Sequence, residues 1–125
     1  MKTIRQHYFI NATDEEVFAA LTNPFTIELW SGYPAQMEAR EGTGFSIFDG
    51  DIAGRNIKIT ENRQLVQEWY FGDSPDESIV TINLKPHRQG TKVSVEHTNV
   101  PDEDAEELEE GWNKYYWGAI ISFFK

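Results

Sequence analysis

The pattern that most constrains the fold of this chain is the change from an extended segment to an aromatic-rich helix in its last quarter. The extended segment ends at residues 97–101, and a strongly acidic stretch follows it. Residues 111–124 then hold six aromatic side chains. A helix with a broad apolar face has to cover another apolar surface. The order predicts one long C-terminal helix that closes over a sheet, an arrangement that can hold a cavity between the two layers.

Length and composition predict one globular domain, residues 1–125. Hydrophobic residues make up 39% of the chain and aromatic residues 14%, as is typical of a folded protein. A chain of this length buries roughly two thirds of its unfolded surface. The absence of cysteine excludes disulfides, thiolate metal sites and a cysteine nucleophile. Because the N-terminus lacks a signal peptide and no apolar stretch approaches ~18 residues, we expect a soluble, cytoplasmic protein.

The charge of the chain argues against two classes of partner. Eleven basic and 21 acidic side chains give a net charge of -10. That charge repels the phosphates of nucleic acids and disfavours anionic membrane surfaces. We therefore expect no nucleic-acid partner and no membrane partner, and the main consequence of the charge is solubility.

The first third of the chain predicts a strand and two short helices. Residues 3–10 are rich in β-branched and aromatic side chains and predict the first strand. Thr13, followed three residues later by Glu16, is a capping-box pattern that predicts a helix start. Asn23 and Pro24 fit the cap and the first position of a second helix, which we expect to end near residue 30.

The middle of the chain predicts an antiparallel meander. Short segments rich in strand-forming residues follow one another, and polar or glycine-containing breaks separate them. Strands that are closely spaced without intervening helices pair antiparallel. The predicted strands are Phe45–Phe48, Ile52–Thr60, Gln64–Phe71, Ser78–Lys85 and Thr91–Thr98.

The C-terminal helix is predicted to start near Pro101–Asp102, and seven acidic residues lie in its first part, between Asp102 and Glu110. Helical spacing predicts two apolar faces further along. The broad face, which we expect to cover the sheet, comprises Leu108, Trp112, Tyr115, Tyr116, Ala119, Ile120 and Phe123. The opposite face comprises Trp117, Ile121 and Phe124. A helix that is apolar all round is buried on both sides, so this second face predicts contact with another part of the chain, a partner or a second subunit.

Several segments of the sequence resemble one protein superfamily. These are FINATDEEVFAALTNP at residues 9–24, GFSIFDG at 44–50, LVQEW at 65–69, GTKVSVEH at 90–97, and the pairs Leu29-Trp30 and Gly111-Trp112. Their order over nearly the whole chain is similar to that of START-like, or SRPBCC, domains. The best match is the branch like the activator of heat-shock protein 90 ATPase, in its small single-domain bacterial form.

The resemblance implies an α+β helix-grip fold. This fold has a curved antiparallel sheet of about six or seven strands, two short helices after the first strand, and a long C-terminal helix over the sheet. It also implies a possible cavity between sheet and helix, but no single activity. Members of the superfamily carry lipids, bind hormones, cyclise polyketides or have no known role.

His97 is the residue with the most chemical potential in the sequence. Its alternation with Val93 and Val95 places it on the apolar face of the last strand. A histidine there can act as an acid or base, orient a polar ligand group, or simply be half buried against a backbone carbonyl. The three histidines show no metal-ligand spacing, and no cofactor-binding motif stands out, so we expect neither metal nor cofactor.

Aromatic side chains supply the other candidate site residues. Ligand pockets are mostly apolar with a few placed polar groups. The same spacing also suits a plain hydrophobic core, so both interpretations stay open. The candidate cavity-lining residues are Trp30, Trp69, His97, Trp112, Tyr115 and Tyr116.

Three functions remain possible from the sequence. The first is binding of a small apolar ligand between sheet and helix. The second is a protein-interaction or co-chaperone role with a chaperone partner, or a homodimer formed through the face of Trp117, Ile121 and Phe124. The third is an enzyme of the cyclase or dehydratase kind, for which His97 is the one candidate. We favour binding over catalysis.

Overall fold

The computed structural model describes residues 1–72 and 77–125. In that part of the chain a first strand precedes two short helices, five further strands follow, and a helical segment ends the chain. The strands are β1 Lys2–Ile10, β2 Gly44–Ile47, β3 Ile52–Thr60, β4 Gln64–Trp69, β5 Ser78–His87 and β6 Gly90–Val100. The helices are α1 Asp14–Thr22, α2 Pro24–Ser31, α3 Asp102–Gly111, a π-helix Trp112–Trp117 and α4 Gly118–Phe123.

The six described strands form one curved antiparallel sheet in the order β1-β6-β5-β4-β3-β2. The last five are consecutive neighbours, so the predicted meander is confirmed, and β1 pairs with β6. The predicted strand bounds differ from the observed ones by at most two residues; for example, β4 ends at Trp69, whereas the prediction ran to Phe71. The sheet and the C-terminal helical segment together form the expected helix-grip fold.

Local hydrogen bonds explain where the two short helices begin. The Thr13 hydroxyl accepts from the Glu16 N–H at 3.1 Å, and the Glu16 carboxylate accepts from the Thr13 N–H at 3.1 Å. This reciprocal pair is the predicted capping box. Asn23 Oδ1 accepts from the Phe25 N–H at 2.9 Å, and Pro24 occupies the first turn of α2. Both sequence predictions of helix starts are therefore confirmed.

The core lies between the inner face of the sheet and the helices. Alternate residues of β5 and β6 are buried, as their period of two predicts. The inner set of β4 is Leu65, Gln67 and Trp69, each no more than 4% exposed, while the residues between them are half buried. The polar Gln67 on this apolar face needs hydrogen-bond partners inside the protein.

The C-terminal segment differs from the predicted regular helix because its middle turn is a π-helix. The Gly118 N–H bonds the Asn113 carbonyl, five residues back, where an α-helix would bond the residue four back. A side chain at Gly118 would place its Cβ 2.7 Å from that carbonyl oxygen. The π turn adds one residue, so the side chains after it are rotated by roughly 100° from their predicted direction.

This rotation corrects the predicted faces. Trp117, predicted on the outer face, is 0% exposed and stacks on Tyr8 with ring centroids 5.5 Å apart. Its proposed role in a partner or dimer face is wrong, because its own chain covers it. Tyr115 and Phe123, predicted on the buried face, are 60% and 41% exposed.

Candidate functional site

A groove of about 1250 Å³ lies between the sheet and the C-terminal helical segment. Aromatic side chains from three parts of the chain supply much of its wall: Trp69 from β4, Trp112 and Tyr116 from the π-helix, and Phe48 from the β2–β3 turn. Ligand pockets in proteins are concave and mostly apolar, with volumes of roughly 300–1,000 Å³. The groove, at about 1250 Å³, is somewhat larger than such pockets, and its aromatic lining is like theirs.

Two tryptophans stack at the wall of the groove. The rings of Trp69 and Trp112 lie 4.7 Å apart with an angle of 20° between their planes. Tyr116 packs against Trp112 at 4.6 Å and against Trp30 of α2 at 5.1 Å. This aromatic cluster joins the sheet, α2 and the π-helix through direct contacts between their rings.

His97 lies behind this wall and is 0% exposed. Trp112 Nε1–H donates to His97 Nδ1 at 3.1 Å, so Nδ1 carries no proton. The proton of the neutral ring is then on Nε2, which donates to Ser78 Oγ at 2.8 Å, and the Ser78 hydroxyl donates to the Thr98 carbonyl at 3.0 Å. Burial lowers the pKa of His97 to about 4. With both nitrogens engaged, His97 holds Trp112 in place and has no free nitrogen for a ligand.

A second buried network of hydrogen bonds holds Trp69, the other tryptophan of the wall. Trp69 Nε1–H donates to Gln67 Oε1 at 3.0 Å, and Gln67 Nε2 donates to Asn56 Oδ1 at 2.9 Å. Asn56 Nδ2 donates in turn to the Glu38 carbonyl at 3.0 Å and the Thr43 hydroxyl at 3.2 Å. This hydrogen-bond network was not predicted from the sequence, although the placement of Gln67 between Leu65 and Trp69 on one strand face indicates it.

Tyr116 brings a polar group to the groove. Its side chain is 4% exposed and lies among the residues that line the groove. Burial raises the pKa of Tyr116 above the ordinary value of a tyrosine, so the phenol is neutral. The Tyr116 hydroxyl can donate to or accept from a polar atom of a ligand.

Acidic side chains line the rim of the groove on both sides. Asp51 lies in the turn between β2 and β3, while Glu103, Asp104 and Glu107 lie on α3. The neighbouring Asp102 is bonded to the Met1 ammonium at 2.9 Å, which lowers its pKa. From the sequence, the acidic run at 102–110 is interpreted as a solvated helix start or, alternatively, a docking surface for a basic partner; its position on this rim was not predicted.

The structure brings together four of the six predicted lining residues, namely Trp69, Trp112, Tyr115 and Tyr116. Trp30 and His97 pack behind the wall instead. Ile121 and Phe124, predicted on the outer face, are half buried against the core. Gly111 also lines the groove, and a Cβ added there would meet no atom within 4 Å.

Two further properties concern the described part of the chain. Within residues 1–72 and 77–125, no three histidine, cysteine or acidic side chains come close enough to hold a metal ion. None of the helices there combines the length and the apolar character that a membrane crossing requires.

The sheet, the closing helix and the groove between them define a helix-grip protein of the START-like class. Comparison with known sequences identifies a family within this class. Residues 11–124 match the family described as activator of Hsp90 ATPase homolog 1-like protein, and the chain belongs to that family.

Known relatives agree with this membership. The human activator of 90 kDa heat shock protein ATPase homolog 1 is 26% identical over 112 residues, which cover 88% of this chain and 33% of the relative. A mouse homolog 2 of the same activator is 27% identical, with coverage of 88% and 34%. The chain thus spans about a third of the length of the curated relatives it matches.

Solved structures share the fold over the full length. An HSP90 activator from Plasmodium falciparum has a TM-score of 0.90 and 25% identity, with 98% of this chain and 96% of that chain covered. An Aha1 dimer from Colwellia psychrerythraea has a TM-score of 0.85 and 17% identity, with coverage of 99% and 97%. At 17% identity, the similarity to the Aha1 dimer shows the fold alone.

Proposed function

We propose that this protein binds a small apolar molecule in the groove between the sheet and the C-terminal helical segment. The observation that carries the proposal is the open groove itself, about 1250 Å³ in volume and walled by Trp69, Trp112 and Tyr116. Part of the lining of the groove is apolar surface in contact with water. A ligand that buries it gains roughly 25 cal/mol for each Å² of apolar surface removed from water.

The wall of the groove is preorganised for binding. Each of the stacked tryptophans is held from behind by a hydrogen bond from its indole N–H to a buried polar chain, through His97 for Trp112 and through Gln67 for Trp69. Side chains that are already fixed lose little conformational entropy when a ligand arrives. The same hydrogen bonds leave His97 without a free nitrogen, which favours binding over catalysis.

Gly111→Leu is expected to block the groove. The added side chain starts in open space at the wall and, because leucine is a good helix former, the fold is retained. We expect the affinity for a neutral apolar fluorophore, N-phenyl-1-naphthylamine, to fall at least about ten-fold, which corresponds to about 1.4 kcal/mol. Fluorescence titration of the purified proteins measures it.

Gly111→Ala is the matched control. A single methyl group leaves most of the groove open, and replacement of a helical glycine stabilises by about 0.5–1 kcal/mol. The control should bind the fluorophore like the wild type and unfold at higher urea concentration. Equal binding by Gly111→Leu would place the fluorophore elsewhere, and a wild type that binds none would refute the proposed function. Native mass spectrometry of the purified protein would also show any ligand that it retains.

A co-chaperone function is the second candidate, and membership of the activator family favours it. We expect the purified protein to raise the ATPase rate of heat-shock protein 90 from the same source in a saturable way, measured by phosphate release. Serum albumin at equal concentration controls for non-specific effects. An ATPase rate that does not change up to saturating concentrations contradicts this function. Gly111→Leu in the same assay separates the two candidate functions, because this substitution is expected to block the groove and to leave the outer surface of the protein unchanged.

A further inference from the structure

Most of the charged side chains among the described residues around the groove are acidic. Among the described residues that line it, Asp51, Glu103, Asp104 and Glu107 carry negative charge, and Asp102 is neutralised by the Met1 ammonium. Lys114 is the one basic side chain among those lining residues, and its ammonium lies over the Tyr115 ring, 5.3 Å from the centroid. The rim therefore carries a net negative charge above an apolar wall.

The usual preference of carboxylates for a helix N-terminus explains only part of this negative charge. Glu103 and Asp104 lie in the first turn of α3, where the helix dipole favours them. Glu107 lies beyond that turn, and Asp51 lies on a different element, in the β2–β3 turn. Carboxylates thus come to the groove from two separate parts of the fold. A cleft with charges of one sign and low-dielectric walls concentrates ions of the opposite sign.

Resting on the proposed function, we propose that the groove selects a cationic amphiphile: an apolar body that packs on the tryptophan wall, with an amine or quaternary ammonium group that lies at the acidic rim. No three of the carboxylates in the described chain are close enough to hold a metal ion. The separated carboxylates of the rim therefore suit an organic cation better than a metal ion. The hydroxyl of Tyr116, a residue that also lines the groove, can hydrogen-bond a polar atom of the same ligand.

Three ligands with one alkyl chain and different head groups test the selectivity. Decylamine, decanol and decanoate are compared at pH 7.5, below their micelle concentrations, by displacement of N-phenyl-1-naphthylamine from the wild type. We expect decylamine to displace the fluorophore at a concentration at least about ten-fold lower than decanoate, with decanol between them. The difference should shrink as salt is raised from about 0.05 to 0.5 M, because salt screens exposed charges.

Two double variants of α3 provide the matched comparison. Asp104→Asn with Glu107→Gln removes two charges from the rim of the groove, while Glu106→Gln with Glu110→Gln removes two from a separate small cleft beside Gln6. The net charge changes equally in both. We expect the first variant to reduce the preference for decylamine at least about three-fold and the second to leave it within about two-fold.

The outcomes separate this inference from the proposed function. Equal displacement by all three ligands, or equal effects of both double variants, overturns the charge selectivity and leaves groove binding in place. Tighter binding of decanoate also overturns it. If the fluorophore and all three ligands fail to bind the wild type, the proposed function is overturned and the charge selectivity with it.

Discussion

Gly54→Ala is expected to destabilise this protein by about 4 kcal/mol or more, enough to leave little folded protein at room temperature. Gly54 is buried in β3, where its backbone lies directly against β4. A Cβ at this position would lie 1.8 Å from the Glu68 carbonyl oxygen and 3.0 Å from the Phe45 ring. The first of these atoms belongs to the backbone, so no side-chain rotation can relieve the overlap and the two strands must separate.

The consequence for the site is direct, because Gly54 pairs with Trp69 across the two strands. Separation of the strands displaces Trp69 from its stack on Trp112. Urea unfolding followed by tryptophan fluorescence measures the loss. Gly44→Ala is the control, since its Cβ would meet only an ordinary contact at 3.7 Å on the neighbouring strand. A Gly54→Ala protein as stable as Gly44→Ala would show that the strands accommodate the methyl group.

Acid is expected to destabilise the protein through His97 by about 3 kcal/mol between pH 7.5 and pH 4. Burial lowers the pKa of His97 to about 4 in the folded protein, while the unfolded chain has the ordinary value of 6.5. At pH 7.5 and above, the ring is almost entirely neutral in both states, so the full stability is present. As the pH falls toward 4, the unfolded state takes up the proton first, and the free energy of unfolding declines.

The surroundings of His97 explain why protonation is so unfavourable. Its ring packs against the rings of Trp69, Phe71 and Trp112. Its hydrogen-bond partners among the described residues, Ser78 and Trp112, are uncharged. A proton on Nδ1 would also break the bond that Trp112 donates. Protonation of His97 therefore loosens the wall of the groove as well as the fold.

His97→Gln isolates this effect, because glutamine keeps a donor and an acceptor but does not titrate. Urea unfolding of both proteins at pH 4 to 7.5 gives two stability curves. The many carboxylates contribute equally to both, so the difference between the curves reports His97. We expect the wild type to lose about 3 kcal/mol more than the variant over that range. Parallel curves would mean that His97 is protonated as easily in the folded state as in the unfolded one.

Much of the fold follows from local patterns. The capping box at Thr13, the cap at Asn23 and the alternation in β5 and β6 all predict their elements correctly, because each depends on neighbours in sequence. The motif order also predicts the family, which the match over residues 11–124 confirms. The aromatic side chains that line the groove were predictable for the same reason, since helical and strand spacing both direct them inward.

The tertiary structure decided which of those side chains reach the groove. The π turn is rarely stable by itself and persists here with Trp112, Tyr116 and Trp117 packed against the core. No local pattern of apolar residues encodes the extra residue of the π turn. A regular helical wheel therefore placed Trp117 on the outer face and Tyr115 on the face toward the sheet.

The polar groups of the site depend on contacts between distant parts of the chain. His97 is bonded to Ser78 and Trp112, and Gln67 to Asn56, so their neutral, structural roles required the packed sheet. The acidic rim likewise exists only because the fold brings Asp51 to the groove that α3 borders. The sequence by itself determined the elements and the composition of their faces, since these depend on local spacing. The tertiary structure decided the register of the closing helix, the bonds of His97 and the charge of the groove, since these depend on which distant residues meet.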